Sequence, residues 1–219
     1  MLSYYWGDKK KKKEKEPEKE EESQGGNPII LLGSPDNGGG DSPVEIQDNR
    51  VYYCGDIADR ETLQLSKALN KLDTDLQIFK IKYGTTPPPI QLRISSYGGS
   101  VFSGFAAVDA IRQCKTPVHT YVDGYAASAA TLLSIVGKQR YMSENSYMLI
   151  HQLSSGIWGK YDDIKDEMKN LDMLMEKITS LYQRHTKLPE EKLKEILTHD
   201  LWFSAEQCLE YGLVDKILR

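Results

Sequence analysis

The chain predicts an α/β protein whose sheet is largely parallel and built from βαβ units. Three observations predict it. Short β-branched and apolar runs alternate with amphipathic stretches of helical period. Glycine-bearing turns stand where such a run passes into the next helix. Hydrophobic residues make up 39% of 219, enough for a substantial core in one domain. Strands joined through helices imply right-handed crossovers.

The elements follow in order. Residues 8–22 hold seven Lys against seven Asp/Glu, with too little apolar surface to offset the entropy of ordering. Together with the Gly/Pro-rich stretch after it, residues 1–43 read as a charged disordered tail and N-terminal segment. A short apolar patch (Ile29 to Leu32) and a flexible loop at Gly38 to Gly40 interrupt this segment. The globular body covers 44–219. Residues 51–54 read as a strand, and 59–72 as an amphipathic helix turning Leu63, Leu65, Leu69 and Leu72 inward. A proline-rich loop at 87–89 precedes an alternating strand over 90–94. The Tyr97-Gly98-Gly99 turn then feeds a helix over 101–113. The strand at 118–122 ends in a turn at Asp123-Gly124, before a helix over 126–136 and a strand over 147–150. A long helix over 161–185 and a shorter one over 189–198 follow, and no internal repeat is present.

A net charge of −4 argues against nucleic acid as the main partner. Cys54, Cys114 and Cys208 are widely spaced, form no C-x-x-C and suit a reduced compartment, so they read as buried or incidental thiols. No apolar run approaches a membrane span, and the first six residues are too few for a signal-peptide core. The expectation is a soluble, cytoplasmic protein without membrane contact.

The chemistry concentrates around Ser128. A β-type run meets a helix made almost wholly of small residues, and the serine stands at the junction. Free backbone N–H groups and the helix dipole stabilise an anion there, which a serine nucleophile attacking a carbonyl needs. The same Ala/Ser run also serves close helix packing. Of the four histidines, His119 lies inside a strand and His185 closes a helix beside Arg184, where a cation suits the dipole. His199 falls in a helix-exit loop. His151 differs, because it ends an apolar strand and precedes a polar, glycine-bearing segment, the sheet edge where ligands gather in parallel α/β folds; a histidine at a strand end also serves as a satisfied packing residue. The Gly98-Gly99 turn allows close backbone approach, so an amide there, paired with the amide of Ala129, would give a two-donor oxyanion hole; the same turn also reads as an ordinary βα connection.

These segments resemble the proteolytic subunit of the Clp protease, a serine peptidase family. Gly124-Tyr125-Ala126-Ala127-Ser128 is similar to its nucleophile motif, and Tyr147-Met148-Leu149-Ile150-His151-Gln152 to its histidine motif. Ser96-Tyr97-Gly98-Gly99 resembles its oxyanion turn, and the segment from Asp200 to Asp215 its C-terminal region. The resemblance spans about 44–218 with the motifs in family order. It implies Ser128 as nucleophile, His151 as general base and acid, and Asp200 as orienting carboxylate. Spacing alone does not select Asp200 among 32 acidic residues. The resemblance places the oxyanion between the amides of Gly99 and Ala129, and an extended peptide beside Gly98, Ser154, Ser155 and Gly156.

The implied fold is a crotonase-like α/β superhelix of βαβ units with a projecting strand-helix handle at about 152–186. Residues 152–159 would supply its strand and 161–185 its helix, with an apolar stripe of Met168, Leu171, Leu174, Met175, Ile178 and Leu181. By the same resemblance the subunit forms heptameric rings stacked into a tetradecamer. It would act on polypeptides, use no metal or organic cofactor, and pair with a separate AAA+ unfoldase ring. The chain carries no G-x-x-x-x-G-K-[ST] loop of its own. Four departures mark a divergent member, phage- or organelle-encoded. Tyr97 and Leu153 stand where the family carries proline, the stretch from Ser128 to His151 is slightly short, and the tail replaces the usual N-terminal loop. A non-catalytic ring subunit, a phage head-maturation peptidase and an acyl-CoA hydratase or isomerase are the rival readings.

Overall fold

The structure, a computed structural model, describes residues 42–219. The expectations for the charged run, the Ile29–Leu32 patch and the Gly38-rich loop lie outside the described residues.

The chain enters a hairpin, β1 (Val44–Gln47) and β2 (Arg50–Cys54), paired antiparallel across a turn where Asp48 has positive φ. Helix α1 (Asp59–Tyr83) carries β2 over to the parallel strand β3 (Ile90–Ser96). Asp59 and Glu61 sit on its electropositive first turn, and it ends on Gly84 in the left-handed conformation. The helix runs eleven residues beyond the expected 59–72 because nothing before Gly84 interrupts it. Leu65, Leu69 and Leu72 are buried as expected, but Leu63 lies on the outer face, 54% exposed.

Helix α2 (Val101–Gln113), capped by the Ser100 side chain, leads to β4 (Val118–Ala127), parallel to β3. The turn expected at Asp123-Gly124 is instead a bend inside a continuous ten-residue strand. Ile94 pairs with Val122 but Ser96 with Ala126, so β4 bulges by two residues at the bend. Gly124 takes φ 79° there, its N–H donating to Ser146 Oγ at 2.8 Å. Asp123 is held by Arg93 at 2.6 Å and by the Ser143 hydroxyl at 3.1 Å.

The bend gives β4 two sets of neighbours. Its first half pairs with β5 (Gln139–Ser143) and its second half with β6 (Tyr147–Ile150), both parallel. Between β4 and β5 stands α3 (Ala129–Ile135), shorter than the expected 126–136 because β-pairing continues through Ala127. Helix α4 (Tyr161–His185) follows an irregular stretch at 151–160; the handle strand expected at 152–159 is absent, since none of these residues pairs into a ladder. Helix α5 (Glu190–Leu197), β7 (Leu201–Ser204), α6 (Ala205–Glu210) and β8 (Lys216–Leu218) complete the body. β7 pairs antiparallel with β6, and β8 parallel with β5. Neither these short late strands nor β5 was anticipated. They lack alternation long enough to separate them from loops.

The core lies between the sheet and the helices. Along β3 every second residue (Ile90, Leu92, Ile94, Ser96) is buried, facing α1 to α3, while Gln91, Arg93 and Ser95 remain partly exposed. On α4, Leu174, Ile178 and Leu181 enter the core, whereas Met168 and Met173 stay exposed. Arg140 binds the carbonyls of His185 and Gly212 and pairs with Asp215, joining β5 to the ends of α4 and α6. His185 is therefore no cationic cap: burial, then Arg112, Arg140 and Arg184, push its pKa down, and Thr186 caps the helix. His119 sits in β4 as expected, and burial lowers its pKa. Cys54 is exposed, Cys114 half-buried and Cys208 buried.

Asp73 of α1 accepts the amides of Lys115 at 2.9 Å and Thr116 at 2.7 Å, pinning α1 to the chain between α2 and β4. Burial alone would raise its pKa, but those amide bonds outweigh it and hold the carboxyl below its usual value. Its contribution is therefore present at neutral pH and lost as pH falls through the depressed pKa. Asp73→Asn should lower unfolding free energy in urea at pH 7 by about 1 kcal/mol, allowing for solvent screening. The difference from the parent should begin to shrink below about pH 3.9, the value in the unfolded chain, and close as pH falls through the depressed folded value. A constant difference across that range would contradict it.

Candidate active site

Ser128 stands between β4 and α3 with φ 59° and ψ −129°, a conformation that L-residues avoid. Its surroundings enforce it. The Ser128 N–H donates to the carbonyl of Leu149 on β6 at 2.8 Å. Its own carbonyl accepts from the Thr131 N–H at 3.0 Å and from Thr131 Oγ1 at 2.5 Å. The Ser128 hydroxyl is buried and has no hydrogen-bond partner among the described residues. A buried, unsatisfied hydroxyl on a strained turn is a costly arrangement that packing does not explain.

Sheet register brings the other two predicted side chains to the same edge. Ala127 pairs with Leu149, so the residue after β4 and the residue after β6 leave neighbouring strand ends. Ile150 pairs with Leu201, so His151 and Asp200 occupy the next position along that antiparallel ladder. His151 Nδ1 lies 3.8 Å from Asp200 Oδ1, within ion-pair range and beyond a hydrogen bond. The histidine side chain is 17% exposed and the aspartate 82%. Adjacent strand ends thus gather three residues that span 73 positions of sequence, with the relay not closed in the single chain.

The glycine turn after β3 presses on the elbow from the other side. A Cβ on Gly98 (φ 95°) would stand 2.6 Å from the Ala127 carbonyl oxygen and from Ser128 Cβ. Only glycine allows that approach. The Gly98 carbonyl accepts from Ile57 N–H at 2.8 Å, and Ser100 N–H donates to the Ile57 carbonyl at 2.7 Å. Gly99, between them, bridges Ile57 without using its own amide. The N–H groups of Gly99 and Ala129 are therefore both unengaged among the described residues. Tyr97, where the resembled family carries proline, stacks on Tyr125 of β4 with ring centroids 4.1 Å apart. This contact ties the turn to the strand three residues before Ser128. Sequence reasoning does not reveal this contact, because only the pairing of β3 with β4 brings the two tyrosines together.

Ser154, Ser155 and Gly156 are exposed in the irregular 151–160 stretch, and a Cβ on Gly156 would meet nothing. They lie on the segment leaving His151, without the strand expected there. Among the described residues no cluster of His, Cys, Asp and Glu could hold a metal, and no helix is long and apolar enough to cross a membrane.

A largely parallel α/β body with a strained serine elbow, a glycine turn against it and a histidine on the next strand end defines the class. The family model for Clp protease matches residues 50–219, and the chain belongs to that family. It is 36% identical over 131 residues to an ATP-dependent Clp protease proteolytic subunit of Deinococcus radiodurans, covering 59% of this chain and 64% of that protein. It is 30% identical over 185 residues to proteolytic subunit 3 of Streptomyces coelicolor, covering 82% of this chain and 84% of that one. The chain thus spans just under two thirds of the first relative's length and more of the second. A solved structure of a ClpP1 mutant from Listeria monocytogenes superposes with TM-score 0.65 at 25% identity, covering 75% of this chain and 88% of that one.

Gly98→Ala should push the elbow aside. We expect a stability loss above about 1 kcal/mol and a fall of about 100-fold in labelling of Ser128 by a serine-directed probe. Unchanged labelling in a folded Gly98→Ala protein would separate the turn from the site.

Proposed function

We propose that the chain is the proteolytic subunit of an ATP-dependent Clp protease, a serine endopeptidase acting on unfolded polypeptides. The reading is carried chiefly by the buried, unpartnered hydroxyl of Ser128, held on a strained elbow at the strand ends that also bear His151 and Asp200. Ser128 Oγ attacks the peptide carbonyl while His151 takes its proton. The tetrahedral oxyanion is held by the amides of Gly99 and Ala129, and His151 then protonates the leaving amine. Water, activated by the same imidazole, releases the acyl group. Asp200 orients the imidazole.

An extended peptide would lie beside Gly98 and along Ser154, Ser155 and Gly156, held through main-chain groups and hence with broad specificity. Residues 44–219 form the peptidase domain, with 152–186 as the handle. Seven subunits make a ring, and two rings stack through α4, whose first half carries exposed Met168, Ile164 and Tyr161. An AAA+ unfoldase feeds the particle, and the setting is cytoplasmic. The 3.8 Å separation of His151 from Asp200, and the exposure of Asp200, fit a relay that closes only when neighbouring subunits cover this edge. Those same observations favour one alternative, a non-catalytic ring subunit.

Native mass measurement, a fluorophosphonate probe and a fluorogenic peptide distinguish the two. The expected outcome is a fourteen-subunit particle that is labelled and active. In Ser128→Ala labelling should be lost and hydrolysis should fall by more than about 10³-fold. An assembled wild-type particle that neither labels nor hydrolyses would establish the non-catalytic subunit instead.

A further inference from the structure

The buried phenol of Tyr182, near the end of α4, takes no part in the chemistry above, yet it reaches the elbow. Tyr182 is 1% exposed and Thr131 fully buried. Thr131 Oγ1 donates its single proton to the Ser128 carbonyl at 2.5 Å. The hydrogen bond between Tyr182 and Thr131 hydroxyls must therefore run from the phenol into Thr131 Oγ1. The result is a directed chain, Tyr182 to Thr131 to the Ser128 carbonyl, crossing from α4 through the first turn of α3.

The Ser128 carbonyl and the Ala129 N–H belong to one planar trans peptide unit, so they point in opposite directions. Whatever fixes the carbonyl also aims the amide the opposite way, and the Ala129 nitrogen lies against the glycine turn, 3.0 Å from where a Cβ on Gly98 would stand. Thr131 alone could hold that carbonyl through two bonds, but its hydroxyl is free to rotate unless a donor occupies its lone pair. Tyr182 supplies that donor from a different helix. Its pKa is raised by burial, so the phenol keeps its proton at neutral pH.

We infer that Tyr182 and Thr131 are positioning residues that set the orientation of the Ala129 amide, tying the oxyanion donor to helix α4. This rests on the peptidase reading for its kinetic consequence, but the orientation itself is measurable without catalysis. An interaction present only in the transition state affects kcat and leaves KM unchanged. An oxyanion donor set askew should lose part of the 10²–10³-fold that losing it entirely costs, about 10- to 100-fold.

The test compares Thr131→Val, Tyr182→Phe, Thr131→Ser and the Tyr182→Phe/Thr131→Val double variant in the assembled full-length protein. The double variant removes both hydroxyls of the Tyr182–Thr131 pair, so neither is left buried without the other, which guards against misfolding of either single one. We expect kcat for a fluorogenic peptide to fall about 10- to 100-fold in Thr131→Val and about 3- to 10-fold in Tyr182→Phe, with KM within about twofold. The inhibition constant of a peptide aldehyde should rise by the same factors. Thr131→Ser should restore kcat, and the double variant should match Thr131→Val rather than multiply the losses. Hydrogen exchange over 125–131 should quicken in Thr131→Val and Tyr182→Phe and stay at the parent rate in Thr131→Ser. Parent-level kcat in folded Thr131→Val and Tyr182→Phe overturns the inference. If the parent itself neither hydrolyses nor labels, the peptidase reading fails separately. The exchange rates then decide alone, and unchanged exchange overturns the inference.

Discussion

At φ 59° and ψ −129°, Ser128 stays where it is only because both peptide groups flanking it are tethered. The group before it is held by the Leu149 carbonyl on β6, and the group after it by Thr131 within α3. Release either, and the backbone relaxes toward ordinary geometry, carrying the hydroxyl and the Ala129 amide with it. The rest of the site is built around that tether. Gly98 is glycine because the elbow leaves no room for a Cβ, and Ala126, Ala127, Ala129 and Ala130 are small because they are fully packed around it.

The tether in turn depends on the bend in β4. A straight strand would keep β5 as its neighbour along its whole length. The two-residue bulge at Asp123-Gly124 swings the second half onto β6. Asp123, clamped between Arg93 and Ser143, and Ser146, bonded to Gly124 and Val122, hold the bend. Only then do β4, β6 and β7 run side by side, with the ends of β4 and β6 beside the start of β7. Ladder register is unforgiving here, since a slip of one residue would turn His151 to the opposite face.

Much of this was legible in the residues and some was not. The helix over 101–113 and the helix over 161–185 have the bounds expected, because Ser100 caps one and a strong apolar stripe marks the other. The second half of α1 is not legible in the sequence because its apolar periodicity weakens after Leu72, though the helix continues to Gly84. Asp123-Gly124 has the composition of a turn, and it bends rather than ends the strand because β3 and β6 supply ladder partners on either side. The glycine-bearing segment after His151 lacks any such partner in this chain and forms no strand. His185 has the sequence of a cationic cap, yet burial and two arginines distant in the chain, Arg112 and Arg140, join its neighbour Arg184 in holding its pKa down.

Local chemistry alone determined the strand-to-helix passages, the small-residue elbow and the flexibility needed at Gly98-Gly99. Each depends on conformational preferences within a few residues of the position concerned. Tertiary structure decided which acidic residue meets His151, which carbonyl receives the Ser128 amide and which phenol reaches Thr131. Those pairings come from strand register and from helices crossing over the sheet. Their partners lie tens of residues apart, where no local preference reaches.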